Sequence, residues 1–238
     1  MRDQPDGGPR VEPAGGLSVE PVEGLPEVRP GDDLASLLEQ ATDLGAGGDG
    51  RTATGAGLVP TGPTDVLCLA STVVSKAEGR QADLADFPPG DRAERIAARI
   101  GEIAGEDKDP RFAEAVLAES EELLLEAPIL LAVTRFGHVT VNAGIDRSNV
   151  PDADLLLLPR DPAASAARLH EALGVPVVVT DTSGRPFRLG QRGVALGWAG
   201  LPAARDWRGE VDRDGRELGV TVQAVVDELA GAANLVTG

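Results

Sequence analysis

The sequence contains no tyrosine, one cysteine and two histidines, and aromatic residues make up 3% of it. A core must therefore rest on Val, Leu, Ile and Ala, and the 42% of hydrophobic residues is enough to pack one without cross-links. The lone Cys68 cannot close an internal disulfide, which excludes a disulfide-built secreted domain and fits a reducing cytosol. His138 and His170 are scattered, so a zinc site or a Cys–His catalytic pair lacks ligands. No Gly-x-Ser-x-Gly and no GxxxxGK[ST] occurs, and no GxGxxG follows a strand-like run. No stretch approaches the roughly 20 apolar residues of a membrane span, and residues 1–16 lack the apolar segment of a signal peptide. The expectation is a soluble, cytoplasmic protein with no membrane partner. Acidic side chains number 39 against 22 basic ones, a formal net charge of −17. That balance excludes a nucleic-acid surface, which needs clustered Lys and Arg, but leaves nucleotide binding open because a site needs only a few local cations.

What is present reads as a mixed α/β or α+β chain. Residues 1–22 are Pro- and Gly-rich without hydrophobic periodicity, as in a flexible tail, and residues 45–63 resemble a surface loop. Between them Asp33 can cap a short helix carrying Leu34, Leu37 and Leu38. The apolar runs 66–69 and 73–74 suit a buried strand ending near Ser75. Asp91 opens a helix with Ile96, Ile100 and Ile103 at helical spacing. Asp109-Pro110 starts another, extending through Val116, Leu117, Leu123 and Leu124 with a solvated face of glutamates. Residues 155–158 read as a buried strand end, Asp161-Pro162 starts a helix through Ala172, and 175–179 is a β-run. Residues 221–235 read as a closing helix with Val222, Val225, Val226 and Leu229 as its stripe.

Three stretches can carry chemistry. In Thr180-Asp181-Thr182-Ser183-Gly184-Arg185-Pro186-Phe187-Arg188 a β-branched strand ends in Asp-Thr, followed by a Gly turn and two arginines. Asp181 and Thr182 offer the hard oxygens that Mg²⁺ or Mn²⁺ prefers, and Arg185 and Arg188 can grip a phosphate or carboxylate with forked donors. An Asp-capped turn closed by an Asp–Arg ion pair fits the same residues. In Asn142-Ala143-Gly144-Ile145-Asp146-Arg147-Ser148-Asn149, Asp146 and Asn149 can serve a metal and a nucleotide, or make an Asx turn. In Ser71-Thr72-Val73-Val74-Ser75-Lys76, the lysine is placed to meet phosphate oxygens at a strand end, or to snorkel at the surface.

Taken in order, these stretches resemble one family. Pro26-Glu27-Val28-Arg29-Pro30-Gly31-Asp32-Asp33, Val74-Ser75-Lys76-Ala77-Glu78-Gly79-Arg80, Asn142 through Asn149, and Asp181 through Gln191 are similar to successive motifs of the coenzyme F420-0:gamma-glutamyl ligases. Leu157-Leu158-Pro159-Arg160-Asp161-Pro162, Asp206-Trp207-Arg208-Gly209 and the segment 224–230 continue the order. The resemblance covers about residues 24–238, and its opening motif is closest to the actinobacterial type, in which a nitroreductase-like domain often follows. It implies a gamma-glutamyl ligase-type α+β fold over residues 23–238 in an intertwined homodimer. It implies GTP-dependent addition of L-glutamate to F420-0 through an acyl phosphate, with two divalent ions (Mg²⁺ or Mn²⁺) and K⁺. By position, Leu25, Pro26, Glu27, Val28, Ser71, Lys76 and Asn149 would contact nucleotide or coenzyme. Asp146 and Asp181 would hold one ion and Thr182 would help with a second; Lys76, Arg185 and Arg188 are the catalytic candidates. Ser183 and Phe187 stand where the family often has Phe and Trp, and Thr72 where a Lys is common. Family members continue beyond the position of Gly238 with a loop that contributes nucleotide and metal contacts, so a truncated ligase domain is expected. A non-catalytic deazaflavin-binding module and a divalent-metal phosphohydrolase are the competing functions.

Overall fold

A computed structural model of the chain describes residues 17–42, 65–105, 108–148 and 150–237. The loop expected at 45–63, most of the expected tail and Asn149 lie outside these residues. The fold is mixed α+β. Helices α1 (Leu34–Ala41), α2 (Ser71–Ala77), α3 (Asp91–Ala104), α4 (Pro110–Glu119), α5 (Pro162–Leu173) and α6 (Val225–Ala233) alternate with short strands. The strands are β1 (Leu67–Ala70), β2 (Gln81–Ala82), β3 (Ser120–Leu125), β4 (Leu131–Thr134), β5 (Val139–Val141), β6 (Leu155–Leu156), β7 (Val177–Arg185), β8 (Arg188–Ala199), β9 (Arg205–Asp206) and β10 (Val222–Gln223). Among the described residues they form four small sheets, ordered β1-β7-β8, β3-β4-β5, β2-β6 and β9-β10.

Helix starts follow from local capping. The Asp33 carboxylate accepts from the Ser36 N–H at 3.2 Å, Asp109 from the Arg111 N–H at 2.9 Å and Asp161 from the Ala164 N–H at 2.9 Å. Pro110 and Pro162 occupy the first turns of their helices, where a missing N–H costs nothing. Apolar residues then gather in two principal cores. One contains Ile96, Ile100, Phe112, Val116, Leu130, Leu155 and Leu157. The other contains Val28, Leu34, Leu38, Leu69, Val74, Leu169, Val177 and Val179. Two glycines let β8 press against helices: a Cβ on Gly193 would lie 2.2 Å from the Ala230 carbonyl oxygen, and one on Gly197 would lie 2.3 Å from the Pro162 backbone.

Five local expectations change. The strand expected to reach Ser75 stops at Ala70, where its parallel register with β7 ends at Ala70↔Thr180, and Val73-Val74 turn in α2 instead. Lys76 therefore sits in a helix's last turn, not at a strand end. The helix from Pro110 stops at Glu119, because Leu123 and its neighbours pair with β4 (Leu123↔Ala132). The closing helix spans Val225–Ala233, and Val222 pairs with Asp206 in β10. Finally, β7 does not end at Asp181: it continues through Arg185, held by the antiparallel pairs Asp181↔Val194, Thr182↔Gly193 and Ser183↔Arg192. Ile103, expected on the apolar stripe of α3, is 53% exposed.

Candidate active site

The site begins where β1 gives way to α2. Because Ala70 is in register with Thr180, the next residues, Ser71 and Asp181, meet across the strand ends. The Thr182 N–H donates to Asp181 Oδ1 at 2.8 Å, and the nearby Ser71 hydroxyl further favours the charged Asp181 carboxylate. Burial, aided by the negative charge of Asp146, pushes the Asp181 carboxyl up to about 6 against those two influences. The influence of Asp146 on Asp181 puts both residues in one electrostatic neighbourhood, although one lies in a loop and the other in a strand.

Asp146 is fixed by its backbone. Its N–H donates to the Leu156 carbonyl at 3.0 Å and its own carbonyl accepts from the Leu156 N–H at 2.8 Å. Its Oδ1 accepts from both the N–H and the hydroxyl of Ser148 at 2.8 Å, so the expected Asx turn forms at the same aspartate. Just upstream, Gly144 has φ +70, and a Cβ there would lie 2.4 Å from Leu158 Cδ1, so glycine lets this loop settle onto the core.

Lys76 stands in the last turn of α2. Its Nζ lies 2.5 Å from Glu27 Oε1, with the lysine side chain 14% exposed and the glutamate 63%. The lysine stem is thus largely covered while its ammonium is held by a partner that reaches solvent. The segment carrying Leu25, Pro26, Glu27 and Val28 runs past α2, with Val28 buried and Leu25 packed on the same core, and the Gly31 N–H donates to the Ala77 carbonyl at 2.9 Å. Ser71 and Lys76 share α2, separated by about 7.5 Å of rise.

Other candidates stand apart. Arg185 and Arg188 pair at the hairpin turn joining β7 and β8, about 13 Å along β7 from Asp181. An Arg185 Nη donates to the Leu189 carbonyl there. Thr182 is exposed and follows Asp181 in the strand, so alternation turns its side chain to the opposite face. The Asp–Arg alternative is realised elsewhere, at Asp109–Arg111 and Asp206–Arg208. The proximity of Ser71 to Asp181 and the Glu27–Lys76 pair bring together residues too distant in sequence for any local pattern to reveal.

The donor set fits a divalent cation. A desolvated Asp181 carboxylate that also feels the negative charge of Asp146 is a setting that a cation relieves, and the hard oxygens of both suit Mg²⁺ or Mn²⁺. Among the described residues no cluster of three or more His, Cys, Asp or Glu is placed to hold a metal. A pair of carboxylates completed by waters and substrate phosphates is the usual arrangement for Mg²⁺. Among the described residues no helix is long and apolar enough to cross a membrane.

Comparison with known proteins gives a consistent picture. A family model described as F420-0:Gamma-glutamyl ligase matches residues 24–238. A protein of Natronomonas pharaonis named coenzyme F420:L-glutamate ligase is 71% identical over 216 residues, covering 91% of this chain and 79% of the relative. The protein of the same name from Halorubrum lacusprofundi is 63% identical over 90% of this chain and 79% of its own length. That from Archaeoglobus fulgidus is 46% identical over 91% of this chain and 80% of its own length.

Proposed function

The chain belongs to the F420-0:gamma-glutamyl ligase family, and we propose that it joins L-glutamate to coenzyme F420-0 at the expense of GTP, building a gamma-linked glutamate tail. The single observation that supports this reading within the site is the buried Asp181 carboxylate, within the electrostatic reach of Asp146 and next to the start of the lysine-bearing helix α2. In the proposed route the terminal carboxylate of F420-0 attacks the γ-phosphate of GTP, GDP leaves, and an acyl phosphate forms. The glutamate amine then attacks the acyl carbon, loses a proton and expels phosphate, leaving an amide.

This chain's residues divide the work. Asp146 and Asp181 would hold one divalent ion, Mg²⁺ or Mn²⁺, which when bound draws negative charge from the transferring phosphoryl oxygens. Ser71 keeps the Asp181 carboxylate oriented through its hydroxyl. Lys76 exchanges Glu27 for a phosphate oxygen, so the ammonium is already placed and desolvated when nucleotide arrives. Leu25, Pro26, Glu27 and Val28 would line the nucleotide's approach, with Asn149, three residues after Asp146 in sequence, as a further contact. A second divalent ion and K⁺ would offset the remaining phosphate charge, and Thr182 would be the candidate ligand of that second ion, on the strand face opposite Asp181. Arg185 and Arg188, about 13 Å along the hairpin from Asp181, are kept as candidates for a substrate carboxylate or phosphate farther from that residue. They stand beside the fully exposed Phe187 and Leu189, 106% and 97% exposed, and an apolar hairpin tip of this kind supports a homodimer in which it is covered.

Mass spectrometry of F420-0 incubated with the protein, L-glutamate, GTP and Mn²⁺ tests the proposal. Stepwise glutamyl additions that require GTP are expected. Binding of the coenzyme without any addition would make the chain a binding module, and GTP hydrolysis alone would make it a phosphohydrolase.

A further inference from the structure

The two carboxylates of the site hang from different cores. Asp181 and Ser71 belong to the β1, β7 and α2 region, whose Leu69, Val74, Val177 and Val179 pack together. Asp146 is laddered to β6, whose Leu155 packs, with the following Leu157, in the other core. Something must hold the two bodies in register, since a metal site tolerates only small errors in ligand spacing. Arg80 joins them.

Arg80 is 8% exposed. Its Nε donates to the Leu158 carbonyl at 2.9 Å, and an Nη donates to Glu119 Oε2 at 2.6 Å. Its backbone N–H donates to the Ser75 carbonyl at 2.9 Å, and its carbonyl accepts from the Leu157 N–H at 3.1 Å. One residue is thus tied to the end of α2, to the chain leaving β6 and to the end of α4. From these anchors the connections to the site are short. Helix α2 carries Ser71 and Lys76, while Leu156 exchanges two backbone hydrogen bonds with Asp146. Leu158 presses on Gly144, which lies just before Asp146.

We propose that Arg80, held by Glu119, is a positioning residue that sets the spacing of Asp146 and Asp181 and thereby the affinity for the divalent ion. The proposal rests on the metal-binding reading of that pair. An arginine is required because two donors of one planar fork serve two acceptors in different elements; a lysine ammonium delivers a point charge to one of them. A buried ion pair by itself is poor evidence of stabilisation, since desolvation offsets much of its attraction. That makes a role in fixing geometry the better account of why a charge is kept here.

The test measures Mn²⁺ affinity by electron paramagnetic resonance, alongside melting temperature, in wild type, Arg80→Lys, Glu119→Gln and Asp146→Asn, with no substrate present. Arg80→Lys is expected to weaken Mn²⁺ binding roughly 10–100-fold, as for other residues that orient metal ligands. Glu119→Gln should weaken it less, and Asp146→Asn should abolish it. A purely structural ion pair would lower melting temperature in Arg80→Lys and Glu119→Gln while leaving Mn²⁺ affinity at the wild-type value, and that result overturns the proposal. If Arg80→Lys does not fold, Glu119→Gln decides alone: unchanged affinity overturns the proposal and weakened affinity supports it. Mn²⁺ binding by Asp146→Asn equal to wild type would show instead that the metal reading has failed, and the positioning role with it.

Discussion

Asp181 and Asp206 are both followed within a few residues by arginine, yet they end in opposite electrostatic settings. Asp206 lies on the surface, where Arg208 Nε and Nη donate to its two oxygens at 2.9 and 2.6 Å, and these bonds hold its carboxyl down to about 2. Among the described residues Asp181 forms no ion pair with an arginine, and burial raises its carboxyl to about 6. The difference is made by backbone pairing. At 206–208, where β9 has ended, Asp-x-Arg folds back on itself, as it also does at Asp109–Arg111. Around Asp181 the chain stays extended against β8, so the nearest downstream arginine is four residues up the strand. A short acidic–basic sequence thus makes a solvent-exposed ion pair unless a long strand pairing keeps the two apart.

The largest effect should come from removing the odd carboxylate. Asp181→Asn is expected to lower glutamyl transfer on the order of a thousand-fold, the scale of losing a preorganised electrostatic contact, read as turnover with F420-0, GTP and Mn²⁺. The same change should stabilise the metal-free protein. The folded-state carboxyl binds its proton more tightly than an ordinary aspartate, which titrates near 3.8, so ionising it costs stability. That cost is absent below about pH 4 and fully developed above about pH 6. Melting curves should therefore place the variant above wild type at pH 8 and level with it near pH 4.

Lys76→Ala follows. Its ammonium is expected to contribute about 2–4 kcal/mol to the transition state, so turnover should fall by roughly two orders of magnitude or more. The Glu27 partner is mostly exposed, so melting temperature should move little. Equal turnover in wild type and variant would remove Lys76 from the reaction. Gly144→Ala comes third: a Cβ at φ +70 against Leu158 should destabilise by about 1–3 kcal/mol and weaken Mn²⁺ binding by displacing the Asp146 loop. Denaturant titration and metal titration measure the two effects separately. Smallest of all is Asp206→Asn, which should leave turnover and metal affinity at wild-type values; a large loss of either would erase the contrast with Asp181.

Much of the fold was legible because capping is local. Asp33, Asp109-Pro110 and Asp161-Pro162 announce helices that start where expected, since each carboxylate meets an N–H within the next three residues. Strand partners are not local. Val73-Val74 look like strand continuation, but β7 supplies no pairing beyond Thr180, so they turn in α2. Leu123 looks helical beside Val116 until Ala132 pairs with it. Within the site, Asp146, Asp181 and Lys76 were visible as chemistry-bearing residues in motifs that resemble one family. Their neighbours were not: Ser71 reaches Asp181 through a parallel pairing of distant segments, and Arg80 reaches Glu119 and Leu158 across two cores. Arg185 and Arg188 looked adjacent to Asp181 because a turn was expected where the strand in fact continues.

The claim that Asp146 and Asp181 together bind one divalent ion is tested most directly by proton release. Titrating Mn²⁺ calorimetrically in two buffers of different ionisation enthalpy counts the protons displaced per ion bound. If the ion takes the Asp181 carboxylate, which titrates at about 6, roughly half a proton should leave per Mn²⁺ at pH 6 and almost none at pH 8. Asp181→Asn should bind no Mn²⁺ at this site at either pH. Undiminished binding by that variant, or equal proton release at pH 6 and pH 8 in wild type, would contradict the account.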